Sequence, residues 1–119
     1  MGEQIYQGSI AANGTQSAIV AVPAEFKSLG VSILSSYTAT GSTTGVKLQM
    51  GVSIDGGATY SDLVTVATTA PATSSGNPVA SQQFVELDSY KNATNFSFKL
   101  VNLDGSNAAT VTLTFRAAE

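Results

Sequence analysis

The chain of 119 residues has the size of one domain and is long enough to bury a core of its own. A net charge of −3, from eight acidic and five basic residues, supplies no field to gather phosphates and argues against nucleic-acid binding. The lack of cysteine and histidine removes disulfides, thiolate zinc sites and the commonest general base, while charged residues make up only 11% of the chain against roughly 25% in an average soluble protein.

Alternation of apolar and polar residues with a period of two predicts strands over residues 4–10, 16–22, 30–39, 45–54, 59–67, 82–88, 94–103 and 109–116. Residues 1–8 lack the alternation of a core-anchored strand and are expected as an N-terminal arm. Ala12-Asn13-Gly14 separates the first two strands, since Asn and Gly tolerate the positive φ of tight turns. Pro23-Ala24-Glu25-Phe26-Lys27-Ser28-Leu29, followed by Gly30, has the proline and glycine asymmetry of a single helical turn.

Thr40-Gly41-Ser42 and Thr44-Gly45 precede the fourth strand. There Val46, Leu48, Met50, Val52 and Ile54 alternate into Asp55-Gly56-Gly57, the pattern of a strand entering a hairpin. In the fifth strand Tyr60, Val64 and Val66 share a parity while Leu63 falls on the other face, so a bulge is expected near Ser61–Leu63. Residues 68–81, uncharged and carrying Pro71 and Pro78, form a loop longer than is usual in a compact domain, expected as a contact arm that orders against a partner, with a flexible loop without a role and an extra edge strand as the alternatives.

Phe84 shares a face with Glu86 and Asp88 on the sixth strand, with Val85 and Leu87 opposite. Phe96, Phe98 and Leu100 then alternate into the turn Asp104-Gly105-Ser106-Asn107, and Val111, Leu113 and Phe115 alternate after it, as in a second hairpin. The residues expected to point inward together are Val46, Leu48, Met50, Val52, Ile54, Phe96, Phe98, Leu100, Val111, Leu113 and Phe115. The fold expected is all-β: a single antiparallel β-sandwich domain over residues 1–119, jelly-roll-like, with about eight strands.

Little in the chain points to catalysis. Glu86 and Asp88 project from one face, as two acids for glycoside hydrolysis would, but acids near a strand end more simply mark its solvated side. Asp55, Asp62 and Asp104 could offer oxygens to calcium, yet their spacing matches no calcium loop, and Asp55 and Asp104 each precede a glycine as turn residues do. No enzyme activity, cofactor or metal is expected. Asn13-Gly14-Thr15, Asn92-Ala93-Thr94 and Asn95-Phe96-Ser97 match the glycosylation sequon by chance in a Thr-rich chain. No apolar run approaches the roughly 18 residues that span a bilayer. Met1-Gly2-Glu3-Gln4 lacks a basic secretory region, and Tyr6 stands where myristoylation wants Ser or Thr. A surface this poor in charge is weakly defended against association, so self-association is expected. Tyr6, Tyr37, Tyr60 and Tyr90 are the rings available to anchor a partner or a sugar.

Val52-Ser53-Ile54-Asp55-Gly56-Gly57-Ala58-Thr59-Tyr60-Ser61-Asp62-Leu63, with Phe98-Lys99-Leu100-Val101-Asn102-Leu103-Asp104-Gly105-Ser106 and a closing Thr-rich strand, resembles small β-sandwich structural proteins of tailed bacteriophages over roughly residues 46–116. Among these, a short chain with a neutral surface is most similar to head decoration, or cement, proteins. The resemblance implies a non-enzymatic virion component, made in the host cytoplasm, that sits on the capsid surface as a homotrimer. It would bind the major capsid protein across subunits, without nucleic acid or membrane. The interface candidates are Gln4, Ile5 and Tyr6 in the arm, Pro71 and Pro78 in the loop, and Tyr37 and Tyr60 near strand ends. The same pattern also fits carbohydrate-binding and discoidin-like sandwiches, which leaves a tail-tip receptor- or carbohydrate-binding module as the alternative. The Trp often found after the Asp-Gly turn in that wider group is Tyr60 here.

Overall fold

The computed structural model describes residues 2–23, 28–37, 45–69, 79–90 and 92–118. Among them eight strands form: β1 (Gly2–Ile10), β2 (Thr15–Ala21), β3 (Ser28–Tyr37), β4 (Val46–Ser53), β5 (Val64–Thr68), β6 (Val79–Glu86), β7 (Asn95–Asn102) and β8 (Ala109–Ala118). They build two four-stranded sheets, ordered β1-β8-β3-β6 and β2-β7-β4-β5, with every pairing antiparallel. That order is the jelly roll, in which two Greek keys are folded into facing sheets. The all-β sandwich expected from the alternation is therefore the fold observed.

The alternation does its work strand by strand. Along β7 and β8 every second residue is buried, so Phe96, Phe98 and Leu100 of one sheet face Val111, Leu113 and Phe115 of the other. The Phe115 ring lies 5.8 Å from that of Phe96 and 6.4 Å from that of Phe98, tilted in both cases, and together they form the aromatic centre of the core. Ile10, Val31, Ile33, Val46, Leu48, Met50 and Leu87 fill the space around them.

Several expectations need correction. The turn at residues 104–107 is not a hairpin, because β7 and β8 lie in different sheets and it carries the chain across the sandwich. The turn at residues 12–14 likewise joins β1 to β2 across the sandwich, with Asn13 at a φ of 59° and its N–H donated to the Asp104 carbonyl at 3.0 Å. Consecutive strands are sheet neighbours only at β4 and β5. Val52 keeps its inward parity but is only half-buried, and Ile54 is 71% exposed, because β4 ends at Ser53 and Ile54 sits in the bend beyond it.

The N-terminal stretch is no arm: residues 2–10 pair with β8 from Gly2↔Arg116 to Ile10↔Ala109, with an irregularity between Gln4 and Tyr6 that places Ile5 out of register. The bulge expected near Ser61–Leu63 lies instead within β5, where the register shifts between the pairs Leu48↔Ala67 and Gln49↔Thr65. Residues 60–63 form no strand and cross the outside of β4. There Ser61 donates its N–H to the Val52 carbonyl and accepts the Val52 N–H on its hydroxyl, both at 2.9 Å. Of the expected helical turn at 23–29, Ser28 and Leu29 belong to β3 and residues 24–27 lie outside the described residues.

Candidate functional site

The acids considered for chemistry are held apart by structural duties. Asp88 accepts the Leu29 N–H at 2.8 Å and ties the end of β6 to the start of β3, whereas Glu86 stands exposed on the outer face. Asp55 accepts the Thr59 hydroxyl at 2.6 Å, the Thr59 N–H at 3.0 Å and the Ser53 hydroxyl at 2.7 Å, which close a turn whose Gly56 and Gly57 sit at φ of 75° and 92°. The Thr59 hydroxyl first, then the Thr59 N–H and Ser53, hold the Asp55 carboxyl down to about 2. Among the described residues no three His, Cys, Asp or Glu side chains come close enough to hold a metal ion.

Asp104 is buried and accepts the N–H groups of Ser106 and Asn107 and the Asn107 side-chain amide. It adjoins a polar knot centred on fully buried Asn102. The Asn102 Oδ1 accepts the Tyr37 hydroxyl at 2.8 Å and the Asp104 N–H at 3.1 Å, while its Nδ2 donates to the carbonyls of Ile10, Ala11 and Asn107. Burial first, and the Asp104 charge second, push the Tyr37 phenol up to about 12. Asn102 thus joins the end of β7 to β3 and to both sheet-crossing turns, and satisfies groups that would otherwise be buried unpaired.

This geometry sorts the interface candidates. Tyr37 is 1% exposed and is a core residue, not a surface anchor. Tyr6 and Ile5 are half-buried against the core, and Tyr60 is half-buried beside Gly57. Gln4 is exposed on β1 and donates to the Gln7 side chain at 3.1 Å. The loop expected over residues 68–81 is shorter, since Thr68 ends β5 and Val79, Ala80 and Ser81 already belong to β6, while residues 70–78, with Pro71 and Pro78, lie outside the described residues.

The surface itself singles out other residues. On the sheet β1-β8-β3-β6 the pairings set outward-facing residues in rows: Arg116, Gly30 and Glu86; then Gln4, Thr114, Ser32 and Phe84; then Gln7, Thr112, Leu34 and Gln82. Phe84 is 77% exposed and walls a groove of about 450 Å³ whose lining includes Gly30, Ser32, Thr114, Arg116 and Glu86. On the opposite sheet, Ile19, Ser97 and Gly51 form one row, and Leu63 leans over Gly51 from the 60–63 crossing. Ile19 is 64% exposed, and Lys99 and Lys47 follow on the same outer face. The sequence shows Phe84 to be outward, but which residues flank it depends on the order of the strands.

No protein-family model matches this chain, and no curated protein matches its sequence. Solved structures match its shape. A chain of infectious bursal disease virus, Gx strain, superposes with a TM-score of 0.53 at 12% identity, over 97% of this chain and 31% of that one. The Yersinia pseudotuberculosis-derived mitogen gives 0.55 at 10% identity, over 100% and 86%. The CBM36-1 domain of a multidomain xylanase from the hindgut metagenome of Trinervitermes trinervoides gives 0.50 at 16% identity, over 100% and 99%. The chain thus spans about a third of the viral chain and nearly all of the xylanase domain. At these identities the likeness defines the class, a jelly-roll β-sandwich, and nothing narrower.

Proposed function

We propose that this protein is a non-enzymatic structural component of a virion, a capsid decoration protein that binds across subunits of the major capsid protein and stabilises the head. The observation that carries the reading is the surface. Large apolar side chains stand exposed on both outer faces, Phe84 on one and Ile19 and Leu63 on the other, in a chain with little charge to oppose association. Such a protein acts by burying area, at roughly 25 cal/mol per Å² of apolar surface, and modest contacts repeated over a shell become strong together. The row of Ile19, Ser97 and Gly51, with Leu63 leaning over it, is the face proposed to meet the capsid, and the jelly-roll likeness to a viral chain is compatible with this role. The resemblance to decoration proteins implies a homotrimer, a stoichiometry that binding across capsid subunits does not itself require.

The test is to add the purified protein to phage heads that lack it and measure co-sedimentation and resistance of the heads to heat. Saturable binding, weakened at least tenfold by Ile19→Asp or Leu63→Asp with unchanged melting, is the expected result. Immunogold labelling confined to tail tips, with no binding to heads, would overturn it. One observation favours a second reading as a tail-tip receptor- or carbohydrate-binding module: the Phe84 ring stands beside a mostly apolar groove to which Ser32 and Thr114 add hydroxyls and Glu86 and Arg116 add charges, a mix that suits stacking against a sugar. Glycan-array binding that Phe84→Ala abolishes would decide for it.

A further inference from the structure

The outer face of β8-β3-β6 is complementary to itself. Arg116 and Glu86 occupy one cross-strand row on either side of Gly30. Two strand spacings, about 10 Å, separate them, so they do not pair with each other. Among the described residues these are the charged side chains in the outward rows of the three strands, and neither has an ion-pair partner there. Phe84 lies in the next row, on the same strand as Glu86.

Gly30 adds an independent observation. A Cβ built there would meet only the Val85 carbonyl oxygen, at an ordinary 3.5 Å, and its φ is not in the left-handed region. The fold itself does not need glycine at this position, although glycine in a strand interior lowers β-propensity. Something that approaches the face from outside would need it, because glycine leaves the floor of the groove open beside the exposed Phe84 ring.

We propose that this face binds a second copy of the chain, the two related by a twofold axis running parallel to β3 across the face. The operation keeps each row opposite itself and exchanges β6 with β8. Glu86 then faces Arg116 of the second copy, twice over. Phe84 faces Thr114 of the second copy and enters the groove beside its Gly30, and Leu34 meets Leu34 at the axis. An isologous contact of this kind closes on itself and gives a dimer. About this axis β8, β3 and β6 overlap while β1 overhangs, and three strands of about eight residues present roughly 400 Å², so a pair buries about 800 Å², below the size of a standard stable interface, and the association is weak. A twofold pair, and not the threefold association implied by the resemblance to decoration proteins, is what the rows are built for. The inference does not depend on whether a capsid is the other partner.

Sedimentation velocity over a concentration series, up to about 1 mM, measures the mass directly. The parent chain should pass from one-chain to two-chain mass. Gly30→Val should keep the melting temperature and abolish the dimer, and Phe84→Ser should weaken it at least tenfold. Glu86→Arg alone and Arg116→Glu alone should each be single chains where the parent is paired, because each sets like charges opposite one another. Mixing those two variants should restore the two-chain mass, since the twofold axis places two arginines opposite two glutamates. One-chain mass for the parent throughout the series, a three-chain mass, or a mixture of the two variants that stays unpaired would each overturn the proposal. So would a single-chain protein that binds xylo-oligosaccharides through Phe84, which would give the groove to a sugar instead.

Discussion

Replacing Asn102 by leucine should be among the most damaging single changes outside the apolar core. The substitution keeps the branched shape and the number of non-hydrogen atoms, so it opens no cavity, and its effect reports lost hydrogen bonds together with the strain of bulkier methyl groups at a fully buried site. It orphans the buried Tyr37 hydroxyl and the Asp104 N–H, and it strips a donor from the carbonyls of Ile10, Ala11 and Asn107. Each buried polar group left unpaired costs about 1–3 kcal/mol, and some of these carbonyls will find water as the corner loosens, which puts the loss at about 3–5 kcal/mol. For a domain of this length that is roughly 12–20 °C in melting temperature and a large fraction of total stability. Urea titration followed by circular dichroism, with calorimetry beside it, measures both quantities. Tyr37→Phe should cost less, about 1–2 kcal/mol, because Asn102 keeps the Asp104 N–H, and the two changes together should be less than additive. An Asn102→Leu variant within 1 kcal/mol of the parent would refute the claim that this residue binds the two turns to β3.

Four further outcomes follow from the same structure. Phe98→Ala, which empties a fully buried site between Phe96 and Phe115, should cost about 3–5 kcal/mol in urea titration. Gly45→Ala should fail to fold or melt far below the parent, because its Cβ would collide with the Thr69 carbonyl oxygen, where Thr69 is fixed by exchanging hydrogen bonds with Val46. Since the folded Tyr37 phenol lies near 12 against 10.0 ordinarily, the fold favours its neutral form; stability is intact below pH 10 and should fall as pH rises from 10 toward 12, a decline that Tyr37→Phe should lessen in alkaline melts. A chelator should leave the melting temperature unchanged, and a drop of several degrees restored by calcium would place a metal at the aspartates after all.

What the amino-acid sequence determined by itself is the local part of this protein. Period-two alternation marked eight strands and, in the fourth, seventh and eighth, the face that turns inward, because a pleated backbone sends successive side chains to opposite sides whatever lies beside it. Asp55-Gly56-Gly57 and Ala12-Asn13-Gly14 declared turns through residues that accept positive φ. The same signal is silent about partners. Phe96–Leu100 and Val111–Phe115 alternate equally well as a hairpin within one sheet or as two strands facing across a sandwich, since either arrangement buries the same parity. The choice of facing sheets was made by long-range packing, and with it came the corner that Asn102 and Tyr37 close from residues 65 apart in the chain. Ile54 shows the limit from the other side: it continues the apolar parity of β4, yet the sheet ends at Ser53 and leaves it in solvent. Phe84, Glu86, Gly30 and Arg116 come from three separate strands, and only the order β8-β3-β6 makes neighbours of them. Local periodicity sets which way a side chain points, and tertiary pairing alone decides what it points beside.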